Sequence, residues 1–194
     1  DSYRMSVKET ALEGGGPQLE AIIPARALDE LSRVAAGAER VQLGINDNHV
    51  IFRTGDAILT TRRIDGQFPN VTQPLPEQFE HVVPMPRAEL LEVVRRVSVM
   101  AQRNSPLRLR FAEGELTVSA QTQDIGEPQE SMPAPFPGEP LEIGFNADYL
   151  RDGFESVGGE ELVVKLISPL RPAVLQGEHE DFTYLVMPIR LPTT

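Results

Sequence analysis

The residues that could carry catalysis are sparse in this sequence and do not fall at catalytic spacings. The three histidines, His49, His81 and His179, match no zinc-ligand motif of the HExxH kind, and the chain contains no cysteine. The glycines at 14–16 are not followed by the Gly-Lys-Ser/Thr that completes a phosphate-binding loop. We therefore expect no catalytic residue, no metal site and no cofactor, and a protein that is not an enzyme.

Arginines recur in three segments with helical patterning. Arg26 and Arg33 lie seven residues apart, as do Arg96 and Arg103, and seven residues make about two helical turns, so each pair is predicted to share a face. Such a face suits sequence-independent contact with phosphates, but solvated helix surfaces also carry charge, and Asp29 with Arg33 could be an ordinary ion pair. The arginines concerned are Arg26, Arg33, Arg87, Arg95, Arg96, Arg103 and Arg151.

The composition limits the class of protein. The 194 residues are 40% hydrophobic, enough for a packed core, and no apolar run approaches the roughly 20 residues of a membrane-spanning helix. We therefore expect a soluble protein without membrane contact. The net charge of -11, from 29 acidic and 18 basic residues, argues against nucleic-acid binding on average, although a local basic stripe remains compatible with it.

Three segments of the sequence begin alike and are evenly spaced. They start at Ile23, Val83 and Ile143, so both intervals are 60 residues. In each segment apolar residues first recur at helical spacing and then alternate with polar residues, as in half-buried strands. The repeat therefore predicts units made of a strand, a helix and a run of antiparallel strands, with one helix covering one face of a small sheet.

A pair of such units would form one two-layer domain, so three units make one and a half domains. Hairpin turns are predicted at 47–48 and 113–114, and residues 3–10 are interpreted as the last strand of a fourth unit whose start is missing. We place the domain boundary in the proline-containing connector, which predicts an incomplete domain at 1–79 and a whole one at 80–194.

Several motifs together resemble the bacterial DNA sliding clamp, the beta subunit of DNA polymerase III. The matching segments are 64–69, 143–149 and 184–191, and residues 1–5 are similar to the family's Asp-Gly-His/Phe-Arg-Leu, with Ser2 in place of the glycine. The resemblance covers part of the middle domain and the whole third domain. It implies an α+β DNA clamp fold, in which antiparallel sheets lie outside and helices line the inner face of a ring formed by a head-to-tail homodimer.

The resemblance also implies a pocket that binds short peptide segments of partner proteins. Alternatively, Val186 and Met187 are ordinary core residues of a last strand. One departure from the family is the polar character around Asn104 and Ser105, where an apolar or aromatic pocket residue is common. The residues carried over are Ser2, Tyr3, Arg4, Met5, Pro69, Asn146, Tyr149, Leu170, Pro172, Val186, Met187, Pro188, Ile189, Arg190 and Leu191.

The function expected from the resemblance is that of a replication processivity factor. It would encircle duplex DNA without sequence preference, with Arg26, Arg33 and Arg96 facing the DNA, and would bind the polymerase alpha subunit, the clamp loader, repair polymerases, ligase and mismatch-repair proteins. The alternative is a truncated clamp that binds proteins only. A hydrolase between two α+β domains would need a metal or an activated nucleophile, and the sequence offers neither.

Overall fold

The computed structural model describes residues 1–11, 18–70, 75–101, 105–121, 126, 128–178 and 181–191. Arg103, predicted to face DNA, lies outside this described part. Two compact units are present: a larger unit of Asp1–Ala11 with Val71–Thr194, and a smaller unit of Leu12–Asn70. No helix among the described residues has the length and apolar character needed to cross a membrane.

The described residues form three helices and twelve strands. The helices are α1 (Ala25–Val34), α2 (Arg87–Met100) and α3 (Ala147–Ser156). The strands are β1 (Arg4–Lys8), β2 (Gln42–Ile45), β3 (His49–Thr54), β4 (Ala57–Arg62), β5 (His81–Pro86), β6 (Leu107–Ala112), β7 (Glu115–Ala120), β8 (Gln129–Pro133), β9 (Leu141–Phe145), β10 (Glu161–Leu166), β11 (Ala173–Gly177) and β12 (Phe182–Val186).

This order confirms the predicted units of strand, helix and antiparallel strands. Each such repeat, called a module below, has a helix and a meander of three strands. In the two modules of the larger unit a leading strand precedes the helix, and before α1 there is only an isolated bridge from Ile22 to Ile64. The first module of the larger unit runs from β5 to β8 and the second from β9 to β12. The predicted hairpin at 113–114 joins β6 to β7, with Gly114 at a φ of 74° in the turn, and the hairpin at 47–48 joins β2 to β3.

The two modules of the larger unit exchange their leading strands. β9 of the second module pairs with β6 of the first, and β5 of the first pairs with β10 of the second, in each case antiparallel. The sheets are therefore β8-β7-β6-β9 and β1-β12-β11-β10-β5. Pro84 and Pro86 lie in β5, at the edge of the second sheet, where a strand tolerates residues that lack an N–H.

One apolar core holds the larger unit together. α2 buries Leu90, Val94 and Val97 on one face, as its spacing predicts, and packs beside α3, which buries Leu150 and Phe154. The alternating residues of β6, β7, β9 and β10 supply the opposite layer of this core. The larger unit thus has the predicted arrangement of two helices over sheets.

The smaller unit has much less buried apolar surface. Its meander is β2-β3-β4, and its only buried apolar residues among those described are Ala27, Val50 and Phe52. The amphipathic α1 begins after its N-cap residue, Pro24. The short segment that precedes Pro24 takes the place of the leading strand. A single module of this size can bury little apolar surface on its own.

Candidate functional site

The first and last strands of the larger unit lie side by side. β1 pairs antiparallel with β12, so that Arg4 lies opposite Val186. The pairing continues one residue further, since the Met187 backbone N–H donates to the Tyr3 carbonyl oxygen at 2.8 Å. The side chains of Tyr3 and Met187 are 60% and 38% exposed, so an apolar surface lies at this edge of the sheet.

The start of α3 lies against the same edge. The Asn146 side chain caps the helix by accepting hydrogen bonds from the backbone N–H groups of Asp148, at 2.9 Å, and Tyr149, at 3.2 Å. The buried Tyr184 of β12 donates its hydroxyl hydrogen to the Tyr149 carbonyl oxygen at 2.9 Å. These bonds fix the first turn of α3 relative to β12, and with it the half-buried ring of Tyr149.

Arg4 connects the two aromatic rings of this edge to α3. Its guanidinium lies over the Tyr149 ring, 4.4 Å from the centroid, and the Tyr149 ring stacks on Tyr3 with centroids 6.4 Å apart. Arg4 also donates to a carboxylate oxygen of Asp152 and pairs with Asp1 at 3.2 Å. The hydrogen bond to Asp152 raises the pKa of Arg4 above its ordinary value. The same bond holds the guanidinium in place over the Tyr149 ring.

The segment after β12 lies along β9. The Ile189 N–H donates to the Gly144 carbonyl oxygen at 2.7 Å. A Cβ atom on Gly144 would be 2.6 Å from Cδ2 of Leu191 and 2.8 Å from the Ile189 carbonyl oxygen. Because real Cβ atoms do not approach so closely, the glycine is what lets residues 187–191, here called the tail, lie against the sheet.

A small cavity of about 180 Å³ opens beside the tail. Arg108 at its wall forms an ion pair with Glu142 at 3.1 Å. Three of the cavity residues, Arg108, Ser119 and Gln121, were not predicted from the sequence. Arg108 occupies a polar position in the alternating pattern of β6, and this pattern could have indicated that its side chain lies on the solvent-facing side of the strand. The lining residues are Pro106, Arg108, Ser119, Ala120, Gln121, Ile189, Arg190 and Leu191.

The structure brings a subset of the predicted pocket residues together. Tyr3, Arg4, Asn146, Tyr149 and Met187 form one cluster through the contacts described above, and we call it the aromatic cluster. The tail residues Ile189, Arg190 and Leu191 line the adjoining cavity. The predicted site residues that come together thus lie in two places, the aromatic cluster and the cavity beside the tail.

The remaining predicted pocket residues are placed differently. Val186 is fully buried, as the alternative interpretation of a core strand residue expects, so its side chain offers no surface to a ligand. Leu170 and Pro172 lie in the connection between β10 and β11, with Leu170 60% exposed. Pro69 belongs to the smaller unit and is exposed.

Three further pocket residues flank the aromatic cluster. Ser2 is exposed two residues before the start of β1, and Met5 lies opposite Leu185 in the β1–β12 pair. Pro188 is partly exposed in the tail. The assignment of all these residues to a pocket stays a prediction.

The arginines of α2 are held by carboxylates or by the backbone. Arg87 donates to the Gly159 carbonyl oxygen at 2.7 Å, which ties the start of α2 to the loop before β10. Arg95 donates to Glu92 and Glu155, both at 2.8 Å, and Arg96 donates to both oxygens of Glu130. α2 ends at Met100 and Arg103 lies outside the described residues, so the shared face of Arg96 and Arg103 stays a prediction.

The other two helices also carry carboxylates beside their arginines. On α1, Arg26 is exposed and Arg33 pairs with Glu30 at 3.2 Å, whereas the sequence had suggested Asp29 as its partner. On α3, Arg151 pairs with Asp148 at 2.9 Å. Taken together, α2 and α3 carry four arginines and five carboxylates, so their surfaces are not strongly basic.

Comparisons with known proteins cover nearly the whole chain. Residues 72–190 match the family model of the DNA polymerase III beta subunit, C-terminal domain, and residues 1–70 match the model of its central domain. The Beta sliding clamp of Synechococcus elongatus is 36% identical over 98% of this chain and 53% of its own length. That of Streptomyces coelicolor is 28% identical over 98% and 54%.

Solved structures give the same result. A DNA polymerase sliding clamp from Caulobacter crescentus superposes with a TM-score of 0.92 at 26% identity, over 98% of this chain and 52% of that one. A DnaN sliding clamp from Bartonella birtlesii bound to griselimycin has a TM-score of 0.89 at 26% identity, over 98% and 53%. The present chain thus spans about half the length of the relatives it matches.

Proposed function

Because the chain belongs to the family of the DNA polymerase III beta subunit, the bacterial sliding clamps, we propose that it acts as a DNA replication processivity factor. In this role it is a non-catalytic scaffold. It binds short linear segments of partner proteins at the aromatic cluster and the adjoining cavity, and as part of a closed ring it encircles duplex DNA in the cytoplasm. The observation that carries the proposal is the meeting of Tyr3, Arg4, Tyr149 and Met187 at one edge of a clamp-like sheet.

The chemistry of this edge supports a peptide site. Two tyrosine rings and a methionine offer apolar surface that adapts to different side chains, and the tail adds aliphatic surface from Ile189 and Leu191. Arg4 and Arg108 supply cations for backbone carbonyls or acidic residues. Such a combination favours a flexible segment that inserts an aliphatic and an aromatic side chain.

The direct test is the affinity for a fluorescent peptide that contains a leucine and a phenylalanine, measured by fluorescence anisotropy. Met187→Ala, Leu191→Ala and Tyr149→Ala are each expected to raise the Kd by roughly tenfold, since truncation of a central apolar contact costs more than about 1 kcal/mol. Met100→Ala is the matched control, because Met100 is a 55% exposed methionine at the far end of α2. Unchanged affinity in the three site variants would remove the assignment.

The partners proposed from the family are duplex DNA, the polymerase alpha subunit, the clamp loader, repair polymerases, ligase and mismatch-repair proteins. The Bartonella relative bound to griselimycin supports a ligand site in this family. Arg26, Arg33, Arg95, Arg96, Arg103 and Arg151 are proposed to face DNA in a head-to-tail homodimeric ring. Arg87 is a weaker candidate for this group, because its guanidinium already donates a hydrogen bond to the Gly159 carbonyl oxygen.

A second candidate function is a protein-binding module that does not encircle DNA. The observation that favours it is the pairing of Arg95 and Arg96 with Glu92, Glu155 and Glu130, which lowers the attraction for phosphates. The two functions differ in retention on DNA. A ring stays on closed circular DNA and is lost once the DNA is linearised, whereas a module without a ring is retained on neither.

A further inference from the structure

The cavity beside the tail is too small to hold a whole ligand. Its volume is about 180 Å³, whereas pockets that enclose a drug-sized molecule have volumes of roughly 300–1,000 Å³. Arg108 and Ser119 lie opposite each other in the β6–β7 pair and line the cavity, as do Ile189 and Leu191 of the tail. The cavity is therefore of a size to receive one side chain of a longer partner.

The lining of this cavity is cationic. It contains two arginines, Arg108 and Arg190, and none of the lining residues that the structure describes carries a carboxylate. The chain as a whole has a net charge of -11, so the sign of the charge is reversed locally. Ser119 and Gln121 add polar groups that can form hydrogen bonds. Because hydrogen bonds to a charged partner are the stronger ones, an anionic group suits this lining best.

Arg108 is oriented by a carboxylate that lies outside the cavity. Its Nη1 pairs with Oε1 of Glu142 at 3.1 Å, and its side chain is only 23% exposed. Glu142 is on β9 opposite Arg110 and does not line the cavity. A guanidinium has five N–H donors, so this ion pair leaves other donors of Arg108 for a ligand.

Arg190 is positioned by its two neighbours in the tail. The Ile189 N–H donates to the Gly144 carbonyl oxygen at 2.7 Å, and Leu191 packs over the same glycine. The backbone of Arg190 is thus fixed between two anchored residues. Within the described part of the chain its guanidinium has no ion pair or hydrogen bond, whereas the arginines of α2 and α3 described above all have partners.

We propose that the cavity binds the carboxylate of an acidic residue that flanks the apolar anchors of a partner segment. This inference rests on the proposed function, which places the anchors at the aromatic cluster. The tail joins the two places, because Met187 belongs to the cluster and Arg190, three residues further on, lines the cavity. Three residues of extended chain span about 10 Å. The acidic residue is therefore expected about three positions from the nearer anchor.

The net charge of the chain gives the opposite expectation for an acidic residue that does not reach the cavity. A protein with a net charge of -11 repels a negative ligand on average. A gain in affinity from an added glutamate therefore indicates a local cationic site, whereas a non-specific electrostatic effect appears as a loss.

Fluorescence anisotropy with labelled peptides tests this preference. Each peptide contains a leucine and a phenylalanine, and carries either glutamate or glutamine three positions before the leucine or three positions after the phenylalanine, since a segment can run along the tail in either direction. In one of the two placements the glutamate peptide is expected to bind roughly fivefold more tightly than its glutamine counterpart at low salt. The difference should disappear near 1 M salt, where the Debye length is about 3 Å.

A pair of arginine variants assigns the difference to the cavity. Arg190→Gln is expected to remove the preference for the glutamate peptide. Arg110→Gln is the matched control, because Arg110 lies on the same face of β6 as Arg108, two residues along, but does not line the cavity. The two variants change the net charge equally, and the control is expected to keep the preference.

Disulfide trapping locates the acidic residue, because the chain contains no cysteine that could interfere. A peptide cysteine next to the glutamate is expected to link to Ser119→Cys at the cavity wall. It is not expected to link to Thr117→Cys, which is two residues away on the same face of β7 and outside the lining.

The outcomes separate this inference from the proposed function. If the glutamine peptides bind as tightly as the glutamate peptides in both placements, if Arg110→Gln removes the preference as fully as Arg190→Gln, or if trapping is equal at both cysteines, the inference is wrong and the peptide site stands. If none of the peptides binds, the proposed function fails and the inference fails with it.

Discussion

Arginines paired with carboxylates occur both at the aromatic cluster and on the surface of α2, but with opposite consequences. At the cluster, Asp152 holds Arg4 over the Tyr149 ring and leaves Tyr3 exposed beside it. On α2, Glu130 and Glu155 engage Arg96 and Arg95 and reduce the positive field. An ion pair therefore builds a site where it orients a side chain beside an open apolar surface, and it weakens a site whose only attraction is charge.

The largest expected effect concerns the packing beneath the cluster. In Gly153→Ala the new Cβ would be 2.7 Å from the Tyr184 ring and 2.9 Å from Cδ1 of Leu175. We expect the free energy of unfolding to fall by about 1–3 kcal/mol, as for other overpacked cores. Urea denaturation measures it, and Gly158→Ala, which meets no atom within 4 Å, is the control. Equal stability of the two variants would show that α3 and β12 are not tightly coupled.

The sequence predicted the modules well because their signals are local. The alternation of Leu107, Leu109 and Phe111 and the turn at Gly114 identify the β6–β7 hairpin without tertiary information. The contact between Arg4 and Tyr149 joins residues that are far apart in the chain, and no local pattern encodes it. Only the family resemblance identified the residues of the cluster as candidate site residues.

Two further features could not be predicted for physical reasons. β5 and β9 each pair with a strand of the other module. The alternation of apolar and polar residues in these two strands would be the same if each paired within its own module, so the sequence pattern does not indicate the exchange. The neutralisation of Arg95 and Arg96 depends on Glu155 and Glu130, which come from another helix and from β8. The spacing of the arginines alone was compatible with ordinary solvated helix surfaces as well as with a basic face.

The next largest effect is expected from a substitution beneath the tail, and it should change peptide binding and leave DNA binding unchanged. In Gly144→Ala the new methyl group would displace Leu191 and the Ile189 carbonyl, and we expect the Kd for the peptide to rise roughly tenfold, equivalent to about 1.4 kcal/mol. Binding to a short DNA duplex should stay as it was, because no helix surface changes. Anisotropy with both ligands measures this, and a loss of DNA binding of equal size would indicate unfolding.

A smaller effect is expected from releasing one arginine on α2. The Arg96 guanidinium holds the pKa of Glu130 below its ordinary value, and the hydrogen bonds between the two side chains leave the guanidinium less available to a phosphate. Glu130→Gln is expected to strengthen duplex binding by roughly two- to fivefold at low salt, with no gain near 1 M salt, where the Debye length is about 3 Å. Glu139→Gln makes the same charge change elsewhere in the larger unit, and an equal gain in that variant would attribute the effect to net charge alone.

The smallest expected effects come from two carboxylates of α3, one of which contacts the aromatic cluster and the other an arginine of α2. Asp152 and Glu155 both lie on α3 and both accept from an arginine, Asp152 from Arg4 and Glu155 from Arg95 at 2.8 Å. Asp152→Asn loosens the cation over Tyr149 and is expected to weaken peptide binding by roughly twofold, in keeping with exposed ion pairs of about 0.2–1 kcal/mol, without changing DNA binding. Glu155→Gln frees Arg95 and is expected to do the reverse, with stronger DNA binding and the same peptide affinity. The two variants could instead change the peptide and DNA affinities by the same amounts. Both arginines would then be responding to the total charge of α3, and the distinction between an orienting and a neutralising ion pair would not hold for this protein.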